Sequence, residues 1–256
     1  MKRPTIKKIK EQLATIQSVN DPFIKQIAFD ERKGVQNALK RWMKRQEKKE
    51  ALKDRFHEMN QYENKAREKG YQLIAGIDEV GRGPLAGPVV AAAVILNTTT
   101  PILGLNDSKK LSEAKRNELY GEIHEKATAI GIGIVSAEKI DQTNILKATK
   151  LAMKEAVEQL AVPVDYLLID AETVEIPIPQ QALIKGDSLS NSIAAASIIA
   201  KVTRDRMMIE YNSLFPGYGF DSNVGYGTKK HLDGLEKNGP TPIHRKTFAP
   251  VSNFFK

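Results

Sequence analysis

The sequence predicts an α/β fold in which helices flank a central mixed β-sheet, with a helical, basic extension at the N-terminus. Three observations point there. Apolar residues recur at spacings of three and four through residues 1–70, and short apolar runs take over from Tyr71. Those runs first follow one another directly and later alternate with helical stretches, so antiparallel and parallel neighbours share one sheet. Charge divides at the same place. Residues 1–70 hold 19 Lys/Arg and 10 Asp/Glu, a net +9, while the remaining 186 residues hold 20 and 21, a net −1.

Each element has its own signal. Ile6, Ile9, Leu13 and Ile16 mark a first helix. After Asn20-Asp21-Pro22 and Gly34, a second pattern runs through Val35, Leu39, Trp42, Met43, Leu52, Phe56 and Met59, with Gly70 as its stop. This sets an extension over 1–70 and a second domain over 71–256. Tyr71–Asp78 and Val89–Leu96 read as strands across a Gly/Pro turn, hence a hairpin. Leu111–Lys126 reads as a helix and Ala129–Ser136 as a third strand. Asn144–Leu160 is helical, Tyr166–Asp170 is a short strand ending on an acid, and Ala182–Ile184 is a further short strand. A long helix runs from Ser190 to about Tyr211, followed by a Gly/Tyr-rich loop over 216–227 and a helix over Lys229–Lys237.

Composition narrows the function classes. Hydrophobic residues make up 41% of the chain, enough for a sizeable core, and there is no cysteine, which excludes disulfides and thiolate metal sites. No apolar run approaches the roughly 18 residues of a membrane span. Met1-Lys2-Arg3-Pro4 is basic without an apolar run behind it, so a cytoplasmic protein is expected. The basic extension suggests a polyanionic partner, nucleic acid first. Two other readings stand beside it: amphipathic helices with solvated basic faces, or docking of Leu39, Trp42, Leu52 and Phe56 on the second domain.

The stretch Gly76–Val89, GIDEVGRGPLAGPV, contains a G-x-G-x-x-A pattern at residues 81–86. A dinucleotide loop must open a helix. This one carries Pro84 and Pro88 and runs into the apolar Val89–Leu96, so it is a turn between strands. Its chemistry lies in the acids before it. Asp78 and Glu79 follow one apolar run, Asp170 follows another, and Asp187 stands in a turn before the long helix. Strand ends and helix entrances are where open α/β sheets build sites. Carboxylates gathered in one place repel, and a divalent cation removes that penalty. An oxygen-only set suits Mg²⁺ or Mn²⁺ rather than zinc. Taken singly, each acid reads equally well as a turn former, solvated neighbour or helix cap.

From Tyr71 to about Phe248 the chain resembles bacterial ribonuclease HII, a type 2 ribonuclease H. The stretch 76–89 carries the likeness, with Asp107-Ser108-Lys109-Lys110-Leu111, Lys185-Gly186-Asp187, the run Ile193–Asp205, and Gly225-Tyr226-Gly227-Thr228-Lys229-Lys230-His231. The resemblance implies an RNase H-like fold. It implies hydrolysis of the RNA strand of RNA–DNA hybrids and cleavage 5′ of ribonucleotides embedded in duplex DNA, leaving 3′-hydroxyl and 5′-phosphate ends. It places metal-binding carboxylates at Asp78, Glu79, Asp170 and Asp187, a ribose-gripping motif at Gly81, Arg82 and Gly83, and a junction-sensing tyrosine at Tyr226. Two divalent ions, Mg²⁺ or Mn²⁺, serve such a site. The implied partners are RNA–DNA hybrid and ribonucleotide-containing duplex, with no membrane and no obligate protein partner; a monomer is expected.

Other charged groups carry weaker signals. Lys109 and Lys110 could neutralise phosphates or stand at a solvated helix start; Lys201 and Arg204, one turn apart on the long helix, could bind backbone phosphate, or core packing could explain that segment. Arg82 reads as a phosphate or sugar contact or as an orienter of its loop. His231 and His244 lack metal-ligand spacing and read as structural or surface groups. The C-terminal Val251–Lys256 has the aromatics of a sliding-clamp peptide without its glutamine, since Phe248 stands there. Two rivals remain at this stage: a nucleic-acid-binding protein without catalysis, and a nuclease of related fold acting on branched DNA.

Overall fold

The computed structural model describes residues 3–255, and the chain divides into two compact units, residues 1–57 and 58–256. The first contains α1 (Ile6–Thr15), α2 (Pro22–Ala28) and most of α3 (Lys33–Met59). Its core is Ile9, Leu13, Ile24, Ile27, Val35, Leu39 and Trp42. The Trp42 indole N–H donates to the Ile16 carbonyl at 3.2 Å, so the ring is fixed as well as buried. Leu39 and Trp42 are therefore used inside this unit. The helix α2 fell in what the pattern marks as a break, because Asp21 caps a single two-turn segment too short for a periodic signal.

The second unit starts with α4 (Gln61–Glu68). A five-stranded sheet follows, built from β1 (Ile74–Val80), β2 (Val89–Ile95), β3 (Ala129–Val135), β4 (Tyr166–Asp170) and β5 (Gln180–Leu183). The strand order is β3-β2-β1-β4-β5. The first three strands pair antiparallel, and β1–β4 and β4–β5 pair parallel, giving the mixed sheet the sequence implies. Helices α5 (Glu113–Lys126), α6 (Ala137–Gln142), α7 (Ile145–Glu158) and α8 (Asn191–Leu214) complete the layers, followed by α9 (Phe220–Asn223) and α10 (Lys229–Asn238).

Strand alternation sorts the core into two layers. Ala75, Ile77, Leu167 and Ile169 pack against α7 through Ala152, Met153 and Ala156. On the opposite face, Val90, Ala92 and Val94 meet the alanine-rich half of α8 and Leu119 and Ile123 of α5. Gly76 lies where α8 crosses β1: a Cβ there would collide with the Ser192 backbone. The small residues on α8 and the glycine on β1 thus let helix and sheet come unusually close.

The N-terminus of α8 is held from a distance of more than a hundred residues. Glu63 of α4 is buried and accepts from Ser190 Oγ at 2.6 Å, from Ser192 N at 2.9 Å and from Ser192 Oγ at 2.7 Å. Beside it, Ala66 joins Ile74, Tyr166, Leu168, Leu183 and Ile193 in one apolar cluster. Residues 58–70 therefore pack with the sheet, although the sequence texture changes only at Tyr71. A chain beginning at Tyr71 should melt well below one beginning at Glu58, since it loses both the cap and the Ala66 contact. In the full-length chain, Glu63→Ala should cost about 2–3 kcal/mol by denaturant unfolding, the loss of bonds to a buried charge.

Candidate active site

Parallel pairing of β1 with β4 aligns Ile77 with Ile169, so the next residues, Asp78 and Asp170, emerge side by side where that pairing ends, while β1 itself continues to Val80 in its hairpin with β2. Alternation turns both toward the α8 face, in phase with Gly76 and Leu168. Asp187 arrives in the 3₁₀ turn Gly186–Ser188 that leads into α8. One oxygen from each of Asp78, Asp170 and Asp187 lies within 4.8 Å of the others. Glu79 lies outside that trio. Its Oε1 meets Arg82 Nη1 at 3.3 Å, and the same nitrogen reaches Glu172 Oε1 at 3.4 Å.

These acids are unfavourable neighbours. Burial, and then the charge of Glu79, raises Asp78 well above the usual carboxylate range. Burial also raises Glu79, against the lowering pull of Arg82. Asp170 is raised by burial, although the Gly186 N–H donates to its Oδ1 at 2.7 Å. Asp187 is raised by burial and by Asp107 and Asp170, with Lys109 and Lys110 opposing. A group of carboxylates held apart from sufficient counter-charge, with oxygen alone and no nitrogen or sulfur, suits a hard divalent cation.

Polar supports hold the trio in place. Asp78 accepts a hydrogen bond from Ser197 of α8, and Ser197 Oγ lies 2.9 Å from Ser108 Oγ. Ser108 opens a 3₁₀ turn, Ser108–Lys110, whose lysines stand at the rim. There Lys110 Nζ donates to Ser188 Oγ at 2.9 Å. Asp107, Ser108, Ser197 and Glu172 escaped notice as site residues in the sequence. The first three lie inside the quoted motifs, which was the available signal; Glu172 carries none.

The Gly81–Pro88 turn forms the adjoining wall, and two buried arginines shape it. Arg245 donates to the carbonyls of Gly81, Arg82 and Gly87, and Arg204 to those of Ala86, Pro88 and Val224. Every hydrogen bond of the two guanidiniums ends on a backbone carbonyl. Arg204 is fully buried, which favours the packing reading of its segment over phosphate contact; Lys201 is paired with Asp205 at 2.8 Å. A trans peptide sets its N–H opposite its C=O. Pulling the Gly81 and Arg82 carbonyls inward therefore turns the Arg82 and Gly83 N–H groups outward, and neither finds a protein acceptor among the described residues. Gly81 has φ +94°, and a Cβ there would strike the Arg204 side chain. A Cβ on Gly83 would stand 3.5 Å from the ring of Tyr226, which is 45% exposed. Burial lowers Arg204 to about 10; burial and the charge of Arg204 lower Arg245 to about 9, so both stay cationic at neutral pH.

A mixed five-stranded sheet of this order, with acids gathered on two adjacent parallel strands, defines the class: a hydrolase of the ribonuclease H-like fold. The chain belongs to the ribonuclease HII family. The family model Ribonuclease HII matches residues 75–251, and the model Ribonuclease HII N-terminal domain matches residues 5–67. The chain is 59% identical over 253 residues to the ribonuclease HII of Enterococcus faecalis, covering 99% of both chains, and 55% identical over 250 residues to that of Bacillus subtilis, covering 98% of both. Among solved structures, the ribonuclease H2 of Pyrococcus horikoshii OT3 shares the fold, with a TM-score of 0.60 and 24% identity over 72% of this chain and 97% of that one. The RNase HII in the PCNA:RNase HII complex from Archaeoglobus fulgidus matches with a TM-score of 0.59 and 27% identity, over 69% of this chain and 95% of that one. No helix among the described residues is long and apolar enough to cross a membrane.

The arginine pair yields a direct expectation. Arg245→Met keeps the volume but strands three carbonyls, so it should lower stability by about 3 kcal/mol in urea unfolding. Arg245→Lys should recover only part of that loss, because one ammonium cannot reach three carbonyls set around a planar fork.

Proposed function

We propose that this ribonuclease H is a divalent-metal-dependent endonuclease. On this reading it hydrolyses the RNA strand of RNA–DNA hybrids and cuts 5′ of single ribonucleotides in duplex DNA, leaving 3′-hydroxyl and 5′-phosphate ends. The observation that carries the proposal is the meeting of three acid oxygens within 4.8 Å beside an outward-facing pair of backbone N–H groups. Asp78, Asp170 and Asp187 would hold Mg²⁺ or Mn²⁺, with Glu79 as the fourth ligand. Two such ions, when bound, supply an activated water and charge compensation at the leaving oxygen.

The chain's own residues do the selecting. The Arg82 and Gly83 N–H groups can reach a ribose edge, with no Cβ on Gly83 to hold the sugar away. A 2′-hydroxyl accepts from such donors, and a deoxyribose offers nothing there. The Tyr226 ring lies against Gly83 and offers a face to the neighbouring sugar. Lys109 and Lys110 at the rim can meet phosphates. The Arg82 side chain is occupied by Glu79 and Glu172, which favours its role in orienting the turn over direct phosphate contact.

The deciding assay compares four substrates: RNA–DNA hybrid, single-ribonucleotide duplex, all-DNA duplex and branched DNA. The first two should be cut and the others left intact; cutting of branched DNA alone would instead favour a resolvase. Asp78→Asn should lower turnover by at least about a thousandfold while hybrid binding persists. Asp170→Asn should likewise be inactive, yet in EDTA at neutral pH it should melt above the parent. The raised carboxylates contribute stability that is present at low pH and lost as pH rises through their folded pKa values. The melting difference should therefore shrink on acidification.

Residues 1–57 hold 16 Lys/Arg and 7 Asp/Glu, a net +9. This supports a backbone-contacting role for the first unit. A chain beginning at Glu58 should keep the same cleavage positions but bind hybrid with a shallower dependence of log affinity on log salt. Equal slopes would remove the electrostatic role.

A further inference from the structure

His231 and His244 are fully buried, 3.0 Å apart between their Nε2 atoms, and take no part in the reaction proposed above. Their neighbours fix every proton. The Thr241 backbone N–H faces His244 Nδ1 at 2.9 Å and can only donate, so Nδ1 is bare. A neutral His244 therefore carries its hydrogen on Nε2 and donates it to His231 Nε2. That leaves His231 with its hydrogen on Nδ1, which lies 2.9 Å from the Tyr226 carbonyl. The same carbonyl accepts from Thr228 N at 2.8 Å, so both of its lone pairs are engaged. The rings sit in an aromatic box: Tyr218 and Phe220 stack at 5.2 Å, and His231 stands edge-on to Phe220 at 5.1 Å.

We infer that His231 and His244 are positioning residues that hold the Tyr226 loop against the Gly81–Gly83 turn through a one-directional relay, Thr241 to His244 to His231 to the Tyr226 carbonyl. The assignment rests on Tyr226 meeting the sugar at the junction, as proposed above. Its logic is that of a lock without slack. An added proton on either ring sets two N–H groups face to face, at Thr241 or between the histidines. Burial lowers both histidines from their ordinary value, His244 to about 4, in keeping with a pair that stays neutral. The other ionisable groups near the pair are Arg204 and Arg245 beneath the turn, the Tyr218 hydroxyl, which donates to the Gly239 carbonyl, and Glu138, Asp141 and Lys246 lining a cavity beside His244.

Two measurements test this on the full chain. Long-range ¹H–¹⁵N spectra at pH 7.5 should show His231 with its hydrogen on Nδ1 and His244 with its hydrogen on Nε2, both neutral; the opposite tautomers, or a charged ring, would overturn the relay. Steady-state kinetics on a single-ribonucleotide duplex should show His231→Phe, which fills the box without a donor, raising KM about five- to tenfold with a smaller change in kcat, the effect of losing one buried donor. His231→Gln, whose amide can donate to the Tyr226 carbonyl, should recover most of the affinity. An unchanged KM in His231→Phe, or a Gln variant no better than Phe at equal melting temperature, would overturn the positioning role. Should His231→Phe fail to fold, the Gln variant and the tautomers still decide. Failure of the parent to cut this duplex would count against the proposed substrate, while the tautomers would still report on the relay.

Discussion

The close approach of α8 to β1 is the constraint on which the site depends. Gly76 removes the side chain that would keep the helix off the sheet, and the Ala194–Ala196 run keeps the helix surface thin. With α8 seated there, its entrance turn delivers Asp187, its second turn sets Ser197 against Asp78, and Arg204, nearly four turns along, reaches the Gly81–Pro88 turn. The metal-ligand candidates and the substrate wall thus hang on one helix. Its N-terminus is fixed by three hydrogen bonds to the single carboxylate oxygen of Glu63.

Two opposite electrostatic arrangements stand side by side on that helix. At one end, acids are crowded so that burial and mutual repulsion raise their pKa values, a cost that a bound cation would relieve. Farther along, Arg204 of the helix and Arg245 of the C-terminal segment are buried without a carboxylate partner and satisfied by carbonyl dipoles. Guanidinium tolerates this better than ammonium, because its charge is delocalised and its fork matches several carbonyls at once. The result is a turn whose acceptors face the protein and whose donors face the groove. An arginine paired with an acid would have left those carbonyls free to turn outward, and the donor face would be lost.

The sequence made the sheet, the acids and the turn legible because each leaves a local mark. The apolar run ending on Asp170 announces a strand end, the run ending on Asp78 marks a strand that in fact continues to Val80, and Pro84 and Pro88 forbid the helix a dinucleotide loop needs. Convergence of the acids was not readable from spacing, since β4 joins β1 through a crossover of some ninety residues; the family likeness supplied it. Glu63 was illegible for another reason. Flanked by Tyr62 and Asn64 in a charged helix, it looks like any solvated glutamate, and only its partners 127 and 129 residues away give it meaning. Arg204 likewise reads as a phosphate contact or as part of a packed segment until its burial is known.

The histidine pair marks the limit of such reading most clearly. Neither ring has a partner within two residues, and a sequence can show a histidine but not which nitrogen carries the hydrogen. That assignment follows here from one fixed donor, the Thr241 N–H, propagated through two rings. It joins the loop bearing Tyr226 to the segment that also supplies Arg245, so residues 241–245 brace both the Gly81–Pro88 turn, through Arg245, and the tyrosine loop, through His244. On the proposed function, one hydroxyl must be told from none, which would need donors held to about 0.5 Å, and loops alone do not hold such tolerances. Buried side chains whose hydrogen bonds have only one consistent arrangement can, which explains why a wall built from glycine-rich turns is backed by two arginines and two histidines.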